Sequence, residues 1–408
     1  MTDRKIVAVF GAGASRACGG LSLGEVLPKA FDREGIVDEP WHRLLTDFLS
    51  DVFGVSGPDF VQRTRQPDVG LLLSVIDMTI EQGRGLVSQS CPRPPSRGCW
   101  RPRDLVGIRE ILDGLIIKSV LDAYLKQFDA QKKEIEMEEI KRLYPHEVFL
   151  DYLYGLDRNF SLISMNYDLF LERAAMQHLS GLKARGSGGT QTIPIYNVSF
   201  EAPYAEPSSG RQLHKLHGSM DWLYCTGCGR VQLYQTRQWL EAHRLNSEEG
   251  PDSRPVKTLN ELSDMLLDPE RQAKCEWCDG DLRPMIIPPT LAKNYANSHI
   301  RRIWSHAEAA LRRADSLYFV GYSLPLDDIV VITAFKQNTQ HIDRKEIVLI
   351  LPEDRDAEKR YKTVFGQDIE VFNGTFEEWV ARQATEIPTF REYKHYEAAK
   401  RSRDDQAA

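Results

Sequence analysis

The 408-residue chain has no apolar run approaching the roughly 18 residues that a membrane-spanning helix needs, which excludes that class of protein. The apolar stretch within MTDRKIVAVFGAG is short and ends in glycines, so it reads as a buried strand and not as a signal-peptide core. Excess basic charge is missing too. With 52 Lys and Arg against 59 Asp and Glu, the net charge is −7, which argues against a surface devoted to nucleic acid or membrane. No Gly-Lys-Ser/Thr is present after the first glycine turn, so a phosphate-hydrolysing P-loop is excluded there. No internal repeat is evident. Cysteines are few, seven in all, and an odd number without an export signal does not make a disulfide framework. A cytoplasmic chain is expected, with no membrane association and no direct nucleic-acid binding. What the sequence does have is globular composition, 42% hydrophobic and 27% charged, enough for a full core.

Strand signals recur at Lys5–Phe10, Phe160–Met165, Leu317–Val320, Ile347–Leu351 and Ile369–Phe372, with helical patterns near His299–Ala314, Ile329–Asn338 and Ala357–Val364. Strands alternating with helices predict an α/β fold, a doubly wound parallel Rossmann-like sheet. The core is expected in separated pieces: 1–38, 157–223 and 285–390. Residues 39–156 read as a helical insertion, for example Leu105–Phe128. Within it, Gly83–Arg103 is dense in Gly, Pro, Ser and Arg, and reads as a disordered surface loop; its arginines (Arg84, Arg93, Arg97, Arg101, Arg103) read first as a solvated face and second as a grip for an acidic partner. Residues 391–408 read as a flexible charged tail.

Residues 224–284 carry the pairs Cys225-Thr-Gly-Cys228 and Cys275-Glu-Trp-Cys278. Two thiolates at this spacing reach one ion, and four suit tetrahedral zinc with no open position for water. A four-cysteine zinc-ribbon module with a structural metal is therefore expected, although the 46 residues between the pairs exceed a compact ribbon. Neither pair begins a helix after a strand, so a redox role is disfavoured. Cys18, Cys91 and Cys99 receive no role.

After the first strand comes Gly11-Ala12-Gly13-Ala14-Ser15. Glycines let a backbone approach a pyrophosphate, the next helix N-terminus offers free N–H groups, and Ser15 adds a hydroxyl. The third-glycine position of the dinucleotide fingerprint carries Arg16 instead, so a tight structural turn is the alternative reading. Three further segments combine polar groups with strand ends or glycine turns: Ser164-Met-Asn166-Tyr-Asp168, Leu216-His217-Gly218-Ser219 and Gly321-Tyr-Ser323-Leu-Pro325. Doubly wound sheets bind ligands at the carboxyl ends of their strands. Taken singly, Asn166 reads as a turn residue, His217 as a capping or core histidine, His214 as structural, and Asp327 and Asp328 as helix caps.

In this order, GAGAS, Asn166 with Asp168, His217-Gly218 before one Cys-x-x-Cys pair, the second pair, and Gly321-x-Ser323 resemble the motifs of sirtuins. Met165-Asn-Tyr-Asp168, Leu216-His-Gly-Ser-Met-Asp-Trp222, Gly321-Tyr-Ser-Leu-Pro325 and Asn373-Gly-Thr-Phe-Glu-Glu-Trp379 look closer to the bacterial sirtuin-like NAD hydrolases of anti-phage defence. The match covers about Arg4–Ser22, Phe160–Leu291 and His299–Trp379. The resemblance implies that Asn166 orients the nicotinamide ribose and the attacking water, and that His217 is the catalytic histidine. It further implies that Gly11, Ala12, Gly13 and Ser15 hold the pyrophosphate, that Asp168 lies near the nicotinamide pocket, and that Gly321 and Ser323 line the phosphate and adenosine side. Where deacylases carry a Pro-Asp-Phe-Arg pattern, this chain has Gly19-Gly-Leu-Ser-Leu-Gly-Glu25. The activity expected is cleavage of NAD to nicotinamide and ADP-ribose. Homo-oligomerisation and a companion such as a HerA-type ATPase are expected regulators. An NAD-dependent protein deacylase and a non-catalytic NAD or ADP-ribose sensor are the rivals.

Overall fold

The computed structural model of the chain describes residues 4–32, 39–55, 59, 67–87, 99–135, 145–156, 160–175, 212–234, 258–267 and 273–383. Arg93, Arg97, Cys91 and the charged tail fall outside these residues. The strands in chain order are β1 (Ile6–Phe10), β2 (Leu86–Val87), β3 (Cys99–Trp100), β4 (Ser161–Ser164), β5 (Gln212–Lys215), β6 (Gly218–Cys225), β7 (Val231–Leu233), β8 (Leu282–Ile286), β9 (Ser316–Val320), β10 (Ile347–Leu351) and β11 (Glu370–Asn373). By its contacts the chain divides into two compact units. One comprises Met1–Gly20, Gln127–His217 and Ala296–Ala408, the other Leu21–Lys126 and Gly218–Tyr295.

In the first unit six strands form one sheet in the order β11-β10-β9-β1-β4-β5. Every neighbouring pair is parallel. Counted by chain order this is 6-5-4-1-2-3, the doubly wound dinucleotide-binding order, and the winding reverses between β1 and β9. The expected α/β class is borne out. The strands β1 (IVAVF), β9 (SLYFV) and β10 (IVLIL) are buried along their whole length, as parallel strands covered on both faces require.

Alternation along β9 places adjacent aromatic rings on opposite faces. Tyr318 packs edge-on against Phe149 and Trp379, from the helices Pro145–Leu156 and Phe376–Gln383. Phe319 instead meets Phe335, Tyr361 and Phe365, from the helices Ile329–Asn338 and Arg355–Phe365. Each such ring contributes about 1.5–3 kcal/mol by leaving water. Two aromatic layers thus clamp the sheet and hold its strand ends at one level.

β5 carries no apolar run, only Gln212-Leu-His-Lys215, yet all four residues are buried. Its place at the edge beside β4 is fixed by the parallel ladder Ser161–Gln212 to Ser164–Lys215. In the second unit β7, β6 and β8 form an antiparallel sheet, and helices occupy Pro40–Phe53, Val69–Glu81 and most of Pro102–Ile135. Among the described residues no helix is long and apolar enough to cross a membrane.

Candidate functional site

The parallel ladder runs one bond past five of its six strands, β10 being followed by Pro352, which has no N–H to give. Gly11 N–H donates to Val320 O, Met165 N–H to Phe10 O, Leu216 N–H to Ser164 O, Gly321 N–H to Ile350 O and Gly374 N–H to Leu351 O. The chain turns away at that level on every strand. Gly11–Ser15, Asn166–Asp168, His217 and Gly321–Ser323 are therefore gathered at the carboxyl edge of one sheet, around the reversal point.

The glycine turns after β1 and β9 pack backbone on backbone. A Cβ on Gly11 would lie 2.5 Å from Tyr322 Cα, and one on Gly13 would lie 2.8 Å from Gly321 Cα. Gly321 has a φ of 61°, and a Cβ there would meet Ala14 N at 2.2 Å. Gly13 N–H donates to Gly321 O at 2.8 Å. Close approach of two turns is the observed reason for these glycines.

Ser15 is buried and joins the other turn to this one. Its Oγ donates to Asp168 Oδ2 (2.5 Å) and accepts from Asn166 Nδ2 (2.7 Å). Asn166 Nδ2 also donates to Gly11 O at 2.8 Å. A carbonyl only accepts, so this bond fixes which end of the amide is nitrogen. Both N–H donors of Asn166 are thereby engaged, and its Oδ1 is the end that can receive a proton donor from the half-exposed side. Asp168 is held through both oxygens, since Phe170 N–H donates to Oδ1 at 3.1 Å.

Lys215, wholly buried at the end of β5, braces the same loop. Its ammonium pairs with Glu172 Oε1 at 2.7 Å and donates to the backbone oxygens of Tyr167 and Asp168. Two residues on, His217 is 6% exposed, and its Nε2 lies 3.5 Å from Asp328 Oδ1. Asp328 stands at the N-cap of the helix Ile329–Asn338, but its side chain makes no capping bond. The cap expected of it from sequence is not made. The carboxylate is turned toward His217 and accepts from Tyr322 Oη. Trp304 Nε1 donates to Leu216 O at 3.1 Å and so pins the backbone that presents His217.

Three further titratable groups in this unit, His214, His146 and Cys18, are core material. His214 and His146 are buried, and burial lowers both pKa values to about 3. Burial raises the Cys18 thiol well above its ordinary value, aided by Asp168, so it is no nucleophile near neutral pH. Ser323 presents its carbonyl to the Arg360 guanidinium at 3.0 Å. Lys215 and Arg360 stand in no motif of the sequence; Tyr322 lies inside the Gly321–Pro325 segment without a role of its own, and Asp328 reads there as a helix cap.

In the second unit the sulfurs of Cys225, Cys228, Cys275 and Cys278 lie within 4.8 Å of one another. The antiparallel pairing of Cys225 with Leu282 brings the two knuckles together. Gly227 and Cys228 N–H groups point at Cys225 Sγ (3.3 and 3.4 Å), and Gln232 Nε2 at Cys275 Sγ (3.4 Å). The Cys228 N–H, then the Cys278 thiol and the Gly227 N–H, lower the Cys225 thiol to about 6. Four convergent sulfurs with donors aimed at them fit a tetrahedral thiolate metal such as zinc. A separate cavity of about 480 Å³ in this unit is lined by Asp77, Glu110 and Asp113 with Arg109 and Arg283. Its carboxylates are answered by those guanidiniums.

Solved structures similar to this chain include Sir2 bound to an acetylated peptide, at 12% identity and a TM-score of 0.39, covering 94% of each chain. Another is a Sir2 homologue in complex with NAD, at 14% identity and a TM-score of 0.38, covering 98% of this chain and 91% of that one. A Sir2 homologue mutant in complex with ADP-ribose has 15% identity and a TM-score of 0.37, covering 97% of this chain and 94% of that one. No family model and no curated protein matches the chain.

Proposed function

We propose that the chain cleaves the nicotinamide–ribose bond of NAD, releasing nicotinamide and ADP-ribose to water. One observation carries this reading: Asn166 and His217 stand at adjacent strand ends, beside the Gly11–Ser15 turn, where a doubly wound sheet reverses. The sirtuin-like order of motifs supplies the substrate class.

The reaction passes through an oxocarbenium-like state as a cationic ring departs. It needs water held on the opposite face and a base to take a proton. Asn166 Oδ1, the end of the amide that remains once Nδ2 serves Gly11 O and Ser15 Oγ, accepts a hydrogen bond from that water and directs its lone pair. His217 accepts the proton from the water or from a ribose hydroxyl through an imidazole nitrogen. Such a base contributes about 10²–10⁴-fold. Asp168, occupied by Ser15 and the Phe170 N–H, holds the loop and is not the base. Gly11, Ala12 and Gly13 on one side and Gly321 with Ser323 on the other form the floor on which the pyrophosphate and adenosine rest. Cys225, Cys228, Cys275 and Cys278 hold a structural zinc, and four thiolates leave it no position for water.

On the same reading the chain acts in the cytoplasm as a defence effector that depletes NAD. Such an activity needs restraint, so a homo-oligomer and a companion such as a HerA-type ATPase are proposed as its regulators. After the glycine turn, Gly19–Glu25 stands where deacylases carry a Pro-Asp-Phe-Arg pattern, which favours hydrolysis over deacylation. The test is nicotinamide release from NAD without acyl peptide by the full chain, beside Asn166→Ala and His217→Ala. Turnover lost in both folded variants supports the reading. Release that requires an acyl-lysine peptide would establish the deacylase, and NAD-induced stabilisation without product the sensor.

A further inference from the structure

We infer that Asp328 and Tyr322 are positioning residues that fix the tautomer and direction of the His217 ring. This rests on the reading of His217 as the base.

The first observation is a helix start that does without its cap. Aspartate is among the best N-cap residues, and Asp328 holds that position with no capping bond. The neighbouring starts behave differently: Asp354 and Asn297 at their N-caps each accept two backbone N–H bonds. Asp328 is 3% exposed and turned inward. A buried carboxylate needs donors or a counter-charge, and here Tyr322 Oη donates to Oδ2 while His217 Nε2 faces Oδ1 at 3.5 Å.

The second observation is the backbone that delivers it. Between β9 and Asp328 the chain takes left-handed φ values at Gly321 (61°) and at Leu324 (52°). Leucine rarely adopts that conformation, and Leu324 is fully buried while doing so. Tyr361 Oη anchors the turn by donating to Tyr322 O at 2.8 Å. An ordinary strand-to-helix connection needs none of this. What the turn achieves is a tyrosine hydroxyl holding the carboxylate that lies opposite His217 Nε2.

The chemical consequence is a choice of tautomer. A neutral imidazole that turns its Nε2–H toward Asp328 carries its lone pair on Nδ1. The proton released by the attacking water or ribose hydroxyl moves to Nδ1, and the imidazolium so formed is stabilised by the carboxylate of Asp328. Tyr322 keeps Asp328 from rotating back to cap its helix. The 3.5 Å separation is long for a hydrogen bond, as catalytic contacts commonly are before substrate closes the site.

The test uses full-length protein labelled with 15N-histidine, the His217 signals being assigned from their loss in His217→Gln. Nε2–H is expected in the parent protein, and a reversal toward Nδ1–H in Asp328→Asn, where an amide N–H₂ faces the ring. Turnover of NAD is expected to fall about 10²–10⁴-fold through kcat, as when a triad carboxylate is replaced by its amide, with KM little changed. Tyr322→Phe removes one hydroxyl and is expected to shift the Nε2–H resonance without reversing the tautomer; it decides the matter if Asp328→Asn does not fold. An Nε2–H signal identical in the parent and both variants would overturn the inference, as would an unchanged kcat in Asp328→Asn. If the parent protein releases no nicotinamide, the enzyme reading fails by itself, and the tautomer still decides whether the arm exists.

Discussion

The carboxyl edge of the parallel sheet and the four-cysteine module solve the same problem in opposite ways. Both bring together groups distant in sequence. At the sheet edge the chain supplies every partner: Ser15 links Asn166 and Asp168, and Glu172 neutralises Lys215. In the module, four sulfurs are drawn within 4.8 Å, a gathering that four thiolates tolerate only around a cation. The edge is held by partners the sequence itself encodes, while the sulfurs of the module are arranged as a cation would need them. Perturbing each should therefore give different signatures.

The largest effect is expected from metal removal. Structural zinc is worth about 10–16 kcal/mol in apparent binding, so chelation or Cys275→Ser should collapse protection of β6–β8 in hydrogen exchange while β1, β4 and β9 stay protected. Equal loss in both regions would erase the contrast.

Removing a partner from the edge should be smaller but still severe. Lys215→Met leaves Glu172 buried without its cation and should cost about 3–5 kcal/mol in denaturant unfolding. Adding Glu172→Leu should recover much of that. If the single variant is as stable as the parent, the brace is not structural. Gly321→Ala should cost at least about 1–3 kcal/mol from its left-handed backbone alone, with more from the clash at Ala14 N, and the melting temperature reports it.

The smallest expected effect concerns the sheet's core. His146 and His214 are held neutral, with pKa values near 3 against 6.5. Below pH 6.5 the unfolded chain protonates first, so the stability they confer is full above that value and is lost as pH falls toward 3. Burial pushes Glu147 the other way, from 4.5 to about 8, against the pull of Arg173. Its protonated form is favoured in the fold, so its contribution is lost as pH rises from about 4.5 to 8. The two trends oppose each other between about pH 6.5 and 4.5. Glu147→Gln removes one, and the urea midpoint should then fall more steeply on acidification than in the parent. An unchanged slope would contradict these assignments.

What the sequence disclosed follows from whether a partner is local. β1, β9 and β10 were legible because burial on both faces demands a continuous apolar run. β5 was not: Gln212-Leu-His-Lys215 looks like a polar loop, and the carboxylate that lets Lys215 be buried lies 43 residues earlier. Cysteine spacing revealed the module, because two thiolates on one knuckle share an ion, while the pairing of β6 with β8 that joins the knuckles had no local mark. Gly11 and Gly13 read as a phosphate cradle, yet their visible work is contact with the Gly321 turn, which no local pattern announces. Asp328 was misjudged for a related reason. Its position says cap, and only the fold shows His217 opposite.

NAD cleavage at this sheet edge is tested most simply by measuring nicotinamide and ADP-ribose release from NAD by the purified chain without acyl peptide, beside Asn166→Ala. Release by the parent is expected, with a loss of about 10²-fold or more in the variant at an unchanged melting temperature. Equal turnover by both folded proteins would contradict the role of Asn166 and, with it, the proposed site.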